Sequence, residues 1–275
     1  MEAQSAPSAV DYVVAIPARF ASTRLAGKPL VLVGDKPMIA QVCLKALQST
    51  AKEVIACVDH EKIVAALQPF AANEPRLKIC MTSDKPRSGT ERIAEMITTQ
   101  KLDPETIVVN VQGDEPLITQ EHINQVANLL ASSGADMATL CAPITEVADV
   151  FDPNCVKVVM DQKQMALYFS RAPIPFERDN FMAWQKAKQE DPKAPYPQLQ
   201  YTHYHHIGIY AYRVRTILDY LQREPAPLEQ SESLEQLRLL HYGMSIAVAI
   251  TDRPPETGVD TAADLERVNR ILAQQ

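Results

Sequence analysis

An α/β fold, with a mostly parallel central sheet flanked by helices, is the architecture this sequence predicts. Short apolar runs alternate with amphipathic helical patterns through the first half, the arrangement that builds parallel strands joined by crossover helices. The 275 residues, 46% of them hydrophobic, suffice to bury a substantial core. Two of the apolar runs are followed directly by charged, glycine- and proline-bearing loops, and ligands of open α/β sheets bind at such strand ends.

Strands are expected at Tyr12–Ala15, Glu53–Val58, Leu77–Met81, Ile107–Val111 and Met137–Ala142. Between them, Met38–Leu47 carries Met38, Ile39, Val42, Ala46 and Leu47 on one helical face. Ile63, Val64 and Leu67 mark the next helix, with Asp59 as its expected N-cap. Ser88 and Glu91 read as a capping box ahead of Arg92, Ile93 and Met96, and Thr119 as the cap of a helix through Ile123, Val126, Leu129 and Leu130. In the second half, Val156–Met160 and Met165–Phe169 suggest a hairpin across Asp161–Gln164. Pro173 to His203 is polar and proline-rich and reads as an excursion over the surface. A strand returns at Ile207–Tyr212, a helix follows at Ser233–Leu240 and a strand at Ile246–Ile250. A final helix opens on the capping box Thr261/Asp264 and continues through Leu265, Val268, Ile271 and Leu272. Residues 1–10 are expected to be a disordered tail and residues 11–275 one domain.

Composition excludes several classes. A net charge of −7 argues against a general nucleic-acid binder but leaves room for a local basic pocket. No apolar run is long enough to predict a transmembrane helix, and the first residues lack the basic and apolar regions of a signal peptide. The five cysteines are scattered, without a C-x-x-C pair, and predict a reducing cytoplasm.

Three segments could carry chemistry. The stretch Ile16–Leu30 places Arg19, Arg24 and Lys28 among turn-forming residues, with Pro17, Pro29 and Gly27 opposing a helix. Three cations and free backbone N–H groups at a strand end suit a polyphosphate; the bland alternative is a solubilising loop. The spacing is not that of a Walker A loop, and no G-x-G-x-x-G is present. In Asn110–Pro116, the pair Asp114-Glu115 beside Gly113 suits a hard divalent cation such as Mg2+, or else a simple Asx turn. In Thr257–Thr261, Asp260 is either a turn residue or a second carboxylate for the same cation. Ser88, Gly89 and Thr90 open a helix whose N-terminus is able to face a ligand. His203, His205 and His206 lack the partners of a zinc site. Arg171, between an apolar strand and a rigid turn, suits either a structural ion pair or a substrate carboxylate.

Taken together, IPARFASTRLAGKPL, SGTERIAE, VNVQGDEPLI, ALYFSRAPIPF, HIGIYAYR, LEQLRLL and ETGVDTAADLERV closely resemble the 3-deoxy-D-manno-octulosonate cytidylyltransferases, or CMP-Kdo synthetases. The resemblance runs in consistent order from about Tyr12 to the C-terminus; Ala26 stands where the family usually has proline. It implies a nucleotide-diphospho-sugar transferase-like fold with a smaller dimerisation and sugar-pocket subregion at about 151–245, and a homodimer. It implies transfer of CMP from CTP to Kdo, with release of pyrophosphate, for lipopolysaccharide assembly. By the same match Arg19, Arg24 and Lys28 face the CTP phosphates, Ser88, Gly89 and Thr90 help seat the nucleotide, and Asp114 and Asp260 hold Mg2+. Gln112, Arg171, His206, Tyr210, Glu235 and Gln236 would line the sugar pocket. A CMP-sialic acid synthetase-like enzyme should differ in SRAPIPF and HIGIYAYR. A catalytically silent nucleotide-binding subunit would have no need of Asp114, Asp260 and the loop cations together.

Overall fold

The computed structural model describes residues 10–21, 27–256 and 258–274. The expectations for residues 1–9, for Arg24 and for Thr257 lie outside them. In chain order the elements are β1 (Tyr12–Ala18), a single 3-10 turn (Lys28–Leu30), β2 (Leu32–Val33), β3 (Lys36–Pro37), α1 (Met38–Ala46), β4 (Glu53–Val58), α2 (Glu61–Ala71), β5 (Leu77–Met81), α3 (Gly89–Gln100), β6 (Ile107–Asn110) and α4 (Gln120–Ser133). There follow β7 (Met137–Pro143), α5 (Val147–Phe151), β8 (Lys157–Met160), β9 (Ala166–Ser170), α6 (Arg178–Glu190), β10 (Tyr204–Arg213), α7 (Val214–Gln222), α8 (Pro227–Glu232), α9 (Gln236–His241), β11 (Ile246–Ile250) and α10 (Ala262–Leu272).

The main sheet runs β11-β7-β10-β6-β1-β4-β5, with β8 and then β9 added along β10. Its β1, β4, β5 and β6 are mutually parallel, as are β7 and β11. Between these two parallel groups β10 runs antiparallel to both β6 and β7. The expected mostly parallel sheet is therefore present, with one reversed strand at its centre.

Side-chain alternation explains why the strands read as unbroken apolar runs. In β1, Tyr12, Val14 and Ile16 enter one core layer while Val13 and Ala15 enter the other, so both faces are buried. The first layer takes Ile39 and Val42 of α1, Ile63 and Leu67 of α2, and Ile123 and Val126 of α4. The second takes Ile93 and Met96 of α3, Ile217 of α7 and Leu237 of α9. A third cluster of Val33, Met38, Leu117, Val259 and Val268 ties α10 and the loop before it to the segment after β6. Among the described residues no helix is long and apolar enough to cross a membrane.

Local expectations fail where a buried charge outcompetes a cap. The α2 cap is His60, whose side chain accepts from the Lys62 N–H, and not Asp59. Asp59 instead accepts from Phe20 N at 2.8 Å and pairs with the enclosed Arg92 at 3.0 Å. A desolvated guanidinium without a carboxylate costs far more than a substituted cap. At α3 the box is half formed: Ser88 accepts from Glu91 N, while the Glu91 carboxylate accepts from Arg87 N. The helix expected at Ser233–Leu240 starts three residues late, at Gln236, because Ser233 adopts φ 53° as the C-cap of α8, a short helix the sequence reading did not place.

The proline-rich excursion contains α6, which its polarity hid. Phe181 alone on that helix is buried, and it packs against Phe151 and Phe176 with ring centroids 5.0 and 5.2 Å apart. Buried Glu177, just before α6, accepts from the N–H groups of Gln200 and Tyr201 at 3.1 Å and so closes the loop on itself. Phe181→Ala should cost about 3–5 kcal/mol in denaturant unfolding, the range for emptying a buried phenylalanine site. A cost near zero would mean that α6 is not docked.

Candidate active site

Three strand-end segments meet at the C-terminal edge of the sheet and enclose a cleft of ≈ 320 Å³. The exit of β1 supplies Pro17, Ala18 and Arg19; the exit of β6 supplies Gln112, Gly113 and Asp114; the N-terminus of α3 supplies Ser88 and Gly89. Lys28, on its 3-10 turn, and Asp260 also line it. The strand β1 continues to Ala18, three residues past the predicted end, so Pro17 lies within the strand and pairs in register with Cys57 of β4.

Glycines let these segments touch. A Cβ on Gly113 would lie 2.8 Å from the Pro17 carbonyl oxygen, and one on Gly258 would lie 2.9 Å from that of Asp114. Both are backbone contacts that no side-chain rotation relieves. Across the second approach Val259 N donates to Asp114 O at 2.8 Å, and fully buried Val259 is held in the third cluster with Leu117. Gly258-Val259-Asp260 thus works as a unit: close approach, anchor, presented carboxylate.

Asp114 and Asp260 consequently share one cation. Lys28 Nζ lies 2.6 Å from Asp114 Oδ2 and 2.9 Å from Asp260 Oδ1. Burial works against the ammonium charge, yet Asp114 and then Asp260 outweigh it and hold the Lys28 pKa above the ordinary lysine value. The two carboxylates stay 36% and 54% exposed, open to additional ligands from the cleft. Glu115, expected as half of an acidic pair, turns inward. Its Oε2 is enclosed and has no hydrogen-bond partner, and burial beside Asp114 pushes its carboxyl up to about 8. Burial thus disfavours charge on Glu115, and Asp114 is the member of that pair that faces the cleft.

A second, smaller hollow of ≈ 40 Å³ is lined by Thr90, Tyr210, Tyr212, Tyr220, Glu235 and Gln236. Tyr210 OH lies 3.5 Å from Gln236 Oε1, and Thr90 Oγ1 donates to Glu235 Oε2 at 2.9 Å. Since Ser88 and Gly89 line the large cleft and Thr90 the small one, the first turn of α3 divides the two. His206 packs its ring 5.5 Å from that of Tyr210. Arg171 lines neither hollow: its Nε donates to Glu232 O at 2.7 Å and its Nη1 to Pro153 O at 2.8 Å.

A cytidylyltransferase family profile matches residues 13–246. The 3-deoxy-manno-octulosonate cytidylyltransferases of Aeromonas salmonicida (strain A449) and Pasteurella multocida (strain Pm70) are 49% and 48% identical to this chain. They match 96% and 95% of it, over 100% and 98% of their own lengths. The chain belongs to the 3-deoxy-manno-octulosonate cytidylyltransferase family. A solved CMP:2-keto-3-deoxy-manno-octonic acid synthetase, complexed with CTP, superposes with a TM-score of 0.81 at 36% identity, covering 96% of this chain and 98% of that one. A cytidylyltransferase from Leptospira borgpetersenii shares the fold, with a TM-score of 0.57 at 14% identity over 98% of this chain and 88% of that one.

In this cytidylyltransferase two further cations line the large cleft: Arg87, which the sequence reading passed over, and Arg92, which it took only as a residue of the helix behind Ser88. Arg92 is 4% exposed and braces the floor through Asp59 and the Ser83 carbonyl. The readable signal for it was Asp59, an acid directly after β4 on the functional edge of the sheet.

One prediction concerns His206, whose burial, with His205 beside it, pulls its pKa down from 6.5 to about 3. Above pH 6.5 neither the folded nor the unfolded state is charged at this ring, and it costs nothing. As pH falls below 6.5 the unfolded chain takes up a proton that the folded chain refuses, so stability is lost at about 1.4 kcal/mol per pH unit. Relative to His206→Gln, the native protein should lose about 2 kcal/mol more on going from about pH 6.5 to pH 5. Urea unfolding of both proteins across that range measures it, and parallel pH slopes would contradict it.

Proposed function

We propose that this chain transfers CMP from CTP to 3-deoxy-D-manno-octulosonate, releasing pyrophosphate, and that the large cleft holds the CTP phosphates. The observation that carries the proposal is the Asp114–Lys28–Asp260 cluster at the edge of a cleft also lined by Arg19, Arg87 and a helix N-terminus. Phosphoryl transfer asks chiefly for positioning and charge neutralisation, and these groups supply both. Arg19 and Lys28 would bind phosphate oxygens, Arg24 would assist from the same loop, and Ser88 and Gly89 would seat the nucleotide at the N-terminus of α3.

The residues fit Mg2+. Two carboxylates already converge on one cation, and Mg2+ takes one or two protein carboxylates and completes its shell with phosphate oxygens and water. Asp114 and Asp260 would hold it; bound there, it supplies charge neutralisation on the phosphates and lowers the pKa of an oxygen it contacts. On CTP entry, Lys28 would exchange a carboxylate for a phosphate oxygen.

The sugar would lie across the divide formed by α3. Gln112 would reach it from the large cleft, Tyr210, Glu235 and Gln236 from the small one, and His206 and Arg171 from the strands behind. The main-chain carbonyls that hold Arg171 fix its plane while leaving Nη hydrogens for the Kdo carboxylate. Most of the exposed large apolar side chains, Leu167, Met182 and Tyr201 among them, lie within 151–245, which supports that subregion as the contact between two copies. A cytoplasmic enzyme, supplied with CTP and with thiols left free, accords with five unpaired cysteines.

The test is pyrophosphate release from CTP and Mg2+ with Kdo, with sialic acid, or with no sugar. Release only with Kdo supports the proposal; release with sialic acid or without sugar overturns it. Lys28→Ala should lower kcat/KM by the equivalent of about 2–5 kcal/mol, and Asp260→Asn should abolish most turnover while part of the CTP affinity persists. Arg171→Lys should weaken Kdo saturation and leave CTP titration nearly unchanged, because the planar fork that grips a carboxylate is lost. A loss that fell on CTP instead would remove Arg171 from the sugar pocket.

A further inference from the structure

The reversed strand β10 is irregular where the sugar residues sit. Ile207 lies opposite Leu140 and Tyr210 opposite Thr139, so three steps along β10 meet one step along β7. Gly208 and Ile209 are looped into the strand as a bulge, and because the insertion is even, His206 and Tyr210 keep a common face. The bulge leaves two carbonyls, of Ile207 and Ile209, turned toward β7. Thr139, fully buried, fills the gap: its Oγ1 lies 2.8 Å from Ile209 O, 3.1 Å from Ile207 O and 3.0 Å from His206 Nε2.

A hydroxyl has one proton and two lone pairs, and carbonyl oxygens only accept. If Thr139 donated to His206, both carbonyls would face an oxygen lone pair at hydrogen-bond distance with no hydrogen between them. The proton therefore goes to a carbonyl, Ile209 O at the shorter distance, and His206 Nε2 must carry a hydrogen and donate to Thr139. The ring is neutral, since burial disfavours its charged form, so Nδ1 is left as a bare acceptor.

We infer that Thr139 is a positioning residue for the sugar pocket: it fixes His206 as the Nε2–H tautomer, with Nδ1 kept to accept from a sugar hydroxyl, and it locks the bulge that sets Tyr210 beside Gln236. The inference rests on the proposed sugar role of His206 and Tyr210. It adds a residue from the hydrophobic interior of β7 that touches no substrate and acts through a hydrogen bond and a strand irregularity. Held in that tautomer, the ring takes a donor such as a sugar hydroxyl at Nδ1 and refuses a group that can only accept.

The test uses the full chain labelled with 15N at histidine, read first without substrates by long-range proton–nitrogen correlation. His206 should show a protonated Nε2 and an unprotonated Nδ1; a protonated Nδ1 in the native protein overturns the inference outright. Thr139→Val, which removes the hydroxyl at nearly constant volume, should populate the other tautomer and raise KM for Kdo about tenfold, the loss expected for one buried hydrogen bond. KM for CTP should stay within about twofold, and Thr139→Ser should restore both the spectrum and the Kdo kinetics. A Val variant with the native spectrum and native Kdo KM, or one whose kcat and both KM values fall off alike, overturns the positioning role. If the native protein makes no CMP-Kdo, the proposed function fails instead, while the spectrum still decides the tautomer.

Discussion

Two carboxylates, carried by segments far apart in the chain, are forced to one point by main-chain packing, and the site is organised around what their proximity demands. Val259 N bonds Asp114 O at 2.8 Å, and Gly258 removes the Cβ that would hold the two segments apart, as Gly113 does where the exit of β6 meets Pro17 of β1. Fully buried Val259 and Val268 pin the approach from behind, so separating the carboxylates would expose apolar surface. Like charges this close require a cation, and Lys28 supplies one that reaches both. On the proposed reading, a cluster with that demand built in would take up a divalent ion and release its ammonium to an incoming polyphosphate.

The sheet topology explains how a second hollow comes to lie beside the cleft. Parallel strands β1, β4 and β6 deliver loops to one edge, where the large cleft lies. Inserting β10 antiparallel between β6 and β7 puts Tyr210 opposite Asn110, the last residue of β6, and carries His206 past it along the same edge. The first turn of α3 then faces both hollows, with Gly89 in one and Thr90, bonded to Glu235, in the other. Burial raises the Glu235 pKa, against the lowering effect of the Thr90 hydrogen bond, so that bond is part of what keeps a carboxylate in the wall of an otherwise apolar hollow.

Much of the fold was legible because buried parallel strands leave an unmistakable pattern: β4, β5 and β11 lie at the predicted residues, and α10 begins at its predicted capping box. Lys28, Asp114 and Asp260, read from three separate segments as phosphate and metal residues, come together in one cluster, although spacing alone left Asp260 open as a turn residue. Helix α6 escaped because a single buried phenylalanine gives no periodicity. The roles of Asp59, Arg92 and Glu115 escaped because each depends on which partner tertiary packing delivers. Thr139 was invisible as anything but a strand residue: its hydroxyl matters only because a bulge on the neighbouring strand aims two carbonyls and a histidine at it. That His206 and Tyr210, four residues apart on β10, share a face also depends on the bulge inserting an even number of residues, which strand alternation by itself does not foresee.

The central claim is that Asp114 and Asp260 form one cation site which exchanges Lys28 for a metal ion when nucleotide binds. Anomalous diffraction from crystals grown with CTP and Mn2+, as a stand-in for Mg2+, tests it most directly. The account predicts a manganese peak within coordinating reach of both carboxylates, with Lys28 Nζ moved onto a phosphate oxygen. A peak elsewhere, or Lys28 still bridging Asp114 and Asp260 beside bound CTP, would contradict it.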